Sequence, residues 1–462
     1  MSIVSVLEKT LAQVIKRERE YEWLAAVESY RKIVESISEQ DLRMGHVYER
    51  LGYAFHRAAM QAEGREEFRE RIGQGIAHYQ QAIDTYDRFT DAQKRGRILR
   101  CEAMISYLHF WLASYSIQKR RILEESWNLA KKALKVFEKD GEALEYALTF
   151  QQSSISASLA CGFEWKIWKD ELKQIVEFGE QAIKCLVTLA DDYNLARVYA
   201  QAAGWILVFS WSLPEPDERE RTVQKALGYW LKANELCEEA ALLEISDPNV
   251  ALLPGLQGGL GTDETIKTYE RALEYDRKTE DRFITGASLS ELAYHLFWKA
   301  RSVEHPDEKR QLLSRALHHA EQSVHHYDLI SLPSPVQSSF WVGAPHAEYY
   351  YELAKNAGDL GERRDLLGKA LEAAPDLLKT AEKSGYRRPA GYAHLTLARI
   401  LIALSKIETS PEKKKKLLEK ASDHTNESAR IMKEVAGDWG KDTYRNMLAV
   451  IESELRKLVR TG

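Results

Sequence analysis

Apolar residues return every three or four positions through nearly the whole chain, and no segment of useful length alternates apolar with polar residues. That spacing lines one face of an α-helix, whereas a half-buried strand needs a period of two. The pattern therefore predicts an all-α protein. Several helix starts are legible. Ser410-Pro411-Glu412 reads as an N-cap, a proline at the first helical position and a first-turn carboxylate. Glu304-His305-Pro306-Asp307-Glu308 and Glu215-Pro216-Asp217-Glu218 place proline and acids in the same way.

The apolar stripes repeat in kind. Ala followed by Leu or Ile stands at Ala82-Ile83, Ala133-Leu134, Ala182-Ile183, Ala226-Leu227, Ala272-Leu273, Ala316-Leu317 and Ala370-Leu371, with a degenerate copy at Lys420-Ala421. Successive copies lie roughly 44 to 54 residues apart, the mark of an array of supersecondary units. The segments Lys309–Leu317, Arg363–Leu371 and Lys413–Ala421 align without gaps and read as second helices of hairpins. First helices carry Leu, a small residue, then a large apolar residue three later: Leu51-Gly52-Phe55, Leu292-Ala293-Leu296 and Leu397-Ala398-Leu401, with Leu353-Ala354-Ala357 a weaker copy. Two antiparallel helices approach closely only where one presents a tiny side chain, and Ala316 or Ala421 supplies the matching contact.

On these residues the chain resembles the tetratricopeptide repeat family. Gly75-Tyr79-Ala82-Ile83 fits that family's second helix, Ala26-Tyr30 fits it in part, and Ala370-Leu371-Glu372-Ala373-Ala374-Pro375 is similar to its repeat ending. The resemblance implies a right-handed superhelical array of antiparallel helix hairpins, an α-solenoid, here of about eight hairpins. The family period is about 34 residues, so these hairpins are longer. Family members that clamp a peptide's terminal carboxylates use Asn directly after the small first-helix residue. That place holds Tyr53, Tyr294, Lys355 and Arg399, so no carboxylate clamp is expected.

Two segments interrupt the rhythm. Residues 246–262 carry two prolines and four glycines, and residues 329–345 mix proline, serine and an aromatic pair. They divide the chain into repeats over 1–245, a Gly/Pro loop at 246–262, and repeats over 263–462 with a loop at 329–345 and a terminal capping helix. That last helix, Tyr444 to Val459, either caps the array or pairs with a second copy.

Composition narrows the function. The 462 residues carry 65 basic and 70 acidic side chains, a net charge of -5 with both signs interspersed, so neither nucleic acid nor a membrane surface is the expected partner. Cys101, Cys161, Cys185 and Cys237 are far apart and form no CxxC pair, which reads as reduced thiols and a cytoplasmic location. The N-terminal stretch has no cleavage site of the secretory kind. Val198–Leu213 is too short for a membrane span, reaching about 24 Å as a helix against a hydrocarbon core of ~30 Å.

Candidate chemistry is thin. Residues 255–262 are glycine-rich before a helix but lack the Gly-Lys-Thr ending of a phosphate loop, and Asp263 and Glu264 would repel an anion there. Thr262 is the expected helix cap. His318, His319, His325 and His326 put same-face partners seven residues apart, about 10.5 Å of rise, too far to share an ion; Glu321 and His325 alone have a chelating offset. Asp87/Asp91, Asp438/Asp442 and Asp191-Asp192 resemble magnesium-binding carboxylates of all-helical enzymes, but the companion motif is missing. No catalytic, cofactor-binding or metal site is assigned and no cofactor is expected.

Aromatics are the stronger signal. Neighbours such as Phe297 and Trp298 point about 100° apart on a helix, so both cannot face the same neighbour. Trp111, Trp205, Trp211, Phe297, Trp298, Phe340, Trp341 and Tyr350 are the candidate anchors for a protein or peptide partner. The expectation is a non-enzymatic scaffold or adaptor that binds along a concave, aromatic-rich groove. Two alternatives are a small-molecule sensor with one enclosed pocket inside the superhelix and an all-helical enzyme with an Asp-rich metal site.

Overall fold

The computed structural model describes residues 13–38, 41, 43–88, 94–113, 116–163, 171–330, 345–384, 387–436 and 441–461. Every regular element among them is helical. A helical lead-in at residues 13–19 is followed by α1 (Trp23–Ser36) and four antiparallel hairpins. These are α2 (Arg43–Met60) with α3 (Arg65–Asp87), α4 (Lys94–Leu112) with α5 (Ser116–Asp140), α6 (Ala143–Phe163) with α7 (Leu172–Val187), and α8 (Asp192–Ser210) with α9 (Pro216–Leu243). Two 3-10 turns, Glu244–Ser246 and Val250–Leu252, then lead to the short α10 (Leu253–Gly258) and to α11 (Asp263–Thr279). Three further hairpins follow: α12 (Arg282–Ser302) with α13 (Pro306–Leu329), α14 (Pro345–Lys355) with α15 (Leu360–Ser384), and α16 (Arg387–Ile407) with α17 (Pro411–Ala436). The terminal α18 (Lys441–Thr461) lies on α17. Each helix packs mainly on its chain neighbours, and the protein is an all-α solenoid.

The described residues hold seven full hairpins rather than eight. Ala272 belongs to α11, which packs on α9, α10 and α12. The first helix that this unit would need is replaced by the 3-10 turns and α10. That segment is not an open loop: Ile245, Val250, Ala251 and Leu253 are all buried. Thr262 does cap α11, accepting a hydrogen bond from Thr265 N at 3.2 Å.

The small residues expected at close helix approaches are all buried. Ala82, Ala133, Ala182, Ala226, Ala272, Ala316, Ala370 and Ala421 are all 0% exposed. A second device recurs with them. A first-helix glycine receives a large side chain from the second helix, always 41 positions later: Gly45 with Tyr86, Gly96 with Phe137, Gly286 with Tyr327, and Gly391 with Met432. A Cβ on these glycines would come within 2.6, 2.5, 2.7 and 2.9 Å of that side chain, well inside van der Waals contact. Ser323 Oγ and Ser428 Oγ lock two of these approaches by donating to the carbonyls of Gly286 (2.7 Å) and Gly391 (2.6 Å).

The array bends until its start meets its middle. Tyr21, in a left-handed backbone conformation (φ 60°), donates from its hydroxyl to Glu239 Oε1 (2.9 Å) and lies 3.3 Å from the Tyr193 hydroxyl. Gln61 Nε2 donates to the carbonyls of Tyr21 (2.9 Å) and Thr279 (2.7 Å). Arg57 pairs with Asp281 at 2.9 Å, Arg65 Nε donates to the Asp328 carbonyl at 2.7 Å, and Trp111 meets Phe283 edge-on, centroids 5.5 Å apart. Helices α1 to α13 therefore form a closed ring, and α14 to α18 continue past it.

At the far end α18 acts as a cap. Tyr444 and Ile451 are buried, and Leu455 and Leu458 pack against Leu401, Leu418 and Ala421. Part of the apolar face considered for pairing with a second copy is covered inside the chain, while Val450 stays exposed. Cys101 is buried; Cys185 and Cys237 are partly buried and free. The loop expected at 329–345 lies mostly outside the described residues.

Candidate binding cavity

The first helices of the ring share an inward stripe. On α2 it comprises His46, Glu49, Arg50, Tyr53, His56, Arg57 and Met60, residues one or three apart that keep to one side of the helix. On α4 it comprises Lys94, Arg97, Arg100, Met104 and Tyr107, on α6 Glu145, Leu148, Gln151, Gln152 and Ile155, and on α8 Tyr193, Asn194, Arg197 and Gln201. These faces line a central cavity of about 780 Å³. The turn at Glu244–Asp247, with Phe283 and Ile284 of α12, closes one side, and Glu18, Arg19 and Tyr21 of the lead-in reach across another.

The wall is laid in register. His46, Arg97 and Leu148 form one layer, Glu49, Arg100 and Gln151 a second, and Tyr53, Met104 and Ile155 a third, each step being 51 residues. The first two layers meet in a charged cluster. Arg100 contacts Glu49 Oε1 at 2.6 Å and Glu145 Oε2 at 2.5 Å, while Arg97 reaches Glu145 Oε1 at 2.7 Å. Burial by itself would raise the Glu49 carboxyl; the charge and hydrogen bond of Arg100 outweigh it and hold the group below the usual carboxylate range. Glu145 is held low in the same way by Arg100 and then Arg97. Beyond them, Arg197 Nε donates to Glu244 Oε1 (2.5 Å) and Gln201 Nε2 to Glu244 Oε2 (2.7 Å). The same 51-residue step recurs outside the ring, where Arg399 donates to Glu348 at 3.1 Å.

Not every polar atom on the wall has a protein partner. His56 Nδ1, Arg57 Nε, Tyr79 Oη and Gln201 Oε1 are buried without one, although buried polar groups are paired in the great majority of cases. Burial, then the neighbouring Arg57, push His56 down to about 3, so it is neutral at pH 7. Burial also pushes the Asp247 carboxyl up to about 7, against hydrogen bonds from Ser158 Oγ (2.7 Å) and Asn249 N (2.8 Å). A carboxyl whose folded pKa is raised stabilises the fold most below its unfolded value, and that contribution is lost as pH rises through the folded one. Asp247→Asn is therefore expected to flatten the fall in stability between about pH 4 and pH 7, read as the slope of urea midpoints against pH.

The structure scatters the aromatic candidates. Trp111, Trp205 and Phe297 are 3%, 0% and 2% exposed. Trp111 packs among Phe68, Tyr107, Phe110 and Phe283. Trp205 Nε1 donates to Ser154 Oγ at 3.0 Å. Trp298 and Tyr350 are partly exposed, with the Arg301 guanidinium 4.8 Å over the Trp298 ring and the Lys369 amine 6.0 Å over Tyr350. Trp211 is 40% exposed. Phe340 and Trp341 lie outside the described residues, as do Asp91 and Asp438. Asp191 caps α8 by accepting from Asn194 N at 3.2 Å. Among the described residues no three metal-ligating side chains converge, and no helix is long and apolar enough to cross a membrane. The cavity-lining residues Arg57, Tyr107 and Arg197 carried no motif. Tyr53, at the position where clamp-type repeats place Asn, was the available signal.

No protein-family model matches the chain, and the search of curated proteins gives no match. Solved structures align along its length at low similarity. A circular tandem repeat protein with a novel repeat topology and enhanced subunit contact surfaces is 13% identical, with 99% of this chain and 96% of that one covered and a TM-score of 0.23. The hypoxic regulator of sterol synthesis Nro1, a nuclear import adaptor, is 12% identical, with 95% and 99% covered and a TM-score of 0.18. A computationally designed self-assembling cyclic homooligomer is 12% identical, with 70% and 98% covered and a TM-score of 0.14. Scores this low carry no weight for function, and the solenoid assignment rests on the packing within this chain.

Proposed function

We propose that this protein is a helical-repeat binding module that holds its ligand at the centre of the ring. The observation that supports this reading is the central cavity of about 780 Å³, a volume typical of small-molecule sites, with buried polar atoms on its wall that no protein group satisfies. A structural core would have filled that space with apolar side chains at close packing. Of the sequence-based alternatives, the central position and volume of the cavity favour the small-molecule sensor over the peptide groove.

Native mass spectrometry of gently purified protein tests this. Wild type is expected to carry a copurifying small molecule. Leu148→Trp, which places an indole in the cavity from a partly exposed wall position, is expected to lose it while keeping its melting temperature. An adduct equally abundant in both proteins would sink the proposal.

A second reading has its own observation. On α12 and on the repeats that continue past the ring, Tyr294, Trp298, Tyr351 and Tyr392 are only partly buried, and Arg301 lies against Trp298. A protein or peptide partner docking there would suit an adaptor, with the ring as its regulatory half. Kinship with tetratricopeptide proteins, supported by the hairpin signature around Gly52 and Ala82, fits either role.

A further inference from the structure

The wall of the cavity carries more cationic than anionic side chains, and two of its arginines have N–H donors not used by their carboxylate partners. Arg57 on α2 is a buried arginine whose ion pair with Asp281, at 2.9 Å, engages a single terminal nitrogen. Its Nε is buried with no acceptor. Arg197 on α8 spends only its Nε, on Glu244, and its side chain keeps 24% of its surface, on the cavity side. The two side chains line the same cavity, together with Tyr53 and Tyr193. His56 adds a third buried group, one turn from Tyr53 and 94% inaccessible, whose Nδ1 has no partner. Each arginine offers five N–H donors in a planar fork, the geometry that matches a carboxylate or phosphate edge. Along the whole wall, Arg and Lys outnumber Asp and Glu eight to six.

We propose that the ring centre takes a small organic ligand by an oxyanion, a carboxylate or phosphate group, bound between Arg57 and Arg197. This rests on the cavity being the binding site. The volume is far beyond an inorganic anion, so the charged group is one end of a larger body. Aromatic surface lies beside it: the Trp23 ring sits 5.8 Å from the Arg57 guanidinium, and Tyr107 and Phe283 line the same space. The ligand class is therefore an aromatic or other flat organic acid or phosphate ester. Gln201 Oε1, the unpaired acceptor nearby, selects a donor on that body: its amide orientation is fixed because Nε2 already donates to both Gln151 O (3.1 Å) and Glu244.

The test is calorimetric titration of the full chain with phenyl phosphate, phenylacetate, inorganic phosphate and the neutral isostere phenylacetamide. Phenyl phosphate or phenylacetate is expected to bind, with phenylacetamide and inorganic phosphate at least roughly tenfold weaker, the scale of a charged hydrogen bond lost. The stronger of the two anions identifies the source of the oxyanion. Arg197→Lys keeps the charge beside Glu244 and preserves the fold, and is expected to weaken binding roughly tenfold by losing the fork. Arg197→Gln is expected to weaken it further. Equal binding of acid and amide, with Arg197→Lys indifferent and Leu148→Trp abolishing both, would overturn the oxyanion and leave the cavity reading standing. Anion binding unchanged in both Arg197→Lys and Leu148→Trp would place the site elsewhere and overturn both readings. No binding of any member at millimolar concentration would overturn the oxyanion assignment.

Discussion

Replacing Arg100 with methionine is expected to lower the unfolding free energy by about 3–5 kcal/mol, the usual consequence of removing one partner from a buried ionic cluster. Arg100 is 3% exposed and lies between two carboxylates from neighbouring hairpins, Glu49 and Glu145. Its guanidinium also sits 5.5 Å from the Phe137 ring, so methionine restores some of the packing but none of the charge. Glu145 keeps Arg97 at 2.7 Å. Glu49 keeps the Tyr86 hydroxyl, at 3.0 Å, and a more distant Arg97, at 4.0 Å. Glu49 is therefore the more exposed to the loss. In wild type both carboxyls are held low, so their contribution is present above the ordinary carboxylate pKa and disappears as pH falls through the depressed folded values. In the variant, burial of Glu49 is opposed only by the weaker influence of His46 and Arg97, and shifts it toward its protonated form. The deficit should be largest near pH 7 and shrink toward pH 4. Urea unfolding at the two pH values checks the sign, and adding Glu49→Gln should recover part of the loss at pH 7. A deficit independent of pH would mean that packing, not charge, is what Arg100 provides.

Trp205→Ala is expected to cost a similar amount, about 3–5 kcal/mol, through the cavity it would leave. Trp205 is 0% exposed on α8 and holds Ser154 of α6 through its indole N–H. The substitution removes the wedge between consecutive first helices and leaves a buried hydroxyl with one donor fewer. Trp205→Phe, which retains most of the ring and loses only the hydrogen bond, should cost about 1 kcal/mol. Thermal unfolding of the pair separates volume from hydrogen bonding. Unchanged melting in Trp205→Ala would contradict the packing described here.

These two residues show where sequence reasoning stopped. The Ala-Leu pairs were legible because a close helix approach admits only small side chains, and all eight alanines are fully buried. The aromatics were not, because a residue's surroundings on a first helix come from three directions. Such a helix touches its own second helix and the next first helix, and in a closed ring it also faces the opposite wall, as Trp111 does toward Phe283. Phe297 and Trp298 do point apart, one buried and one partly exposed. The cavity was harder still. Its inward stripes carry Glu49, Arg50, Arg57, Arg97 and Arg100, which along the chain look like a solvated helix face. Only the curvature that closes the ring turns that face into an interior, and curvature is a property of many helix contacts together.

An open solenoid behaves as a linear string of nearest-neighbour couplings, able to fray from either end. Here the hydrogen bonds of Gln61 and Arg282 join positions 218 and 220 residues apart, which makes the string a loop. Closing a flexible segment of that length would cost roughly 5 kcal/mol in chain entropy. A preformed curved array has already spent most of it, so the closing bonds act on a chain whose ends are nearly in place. Neither α2 nor α12 can then melt alone without opening the circuit, and hydrogen exchange in these two distant helices should rise and fall together.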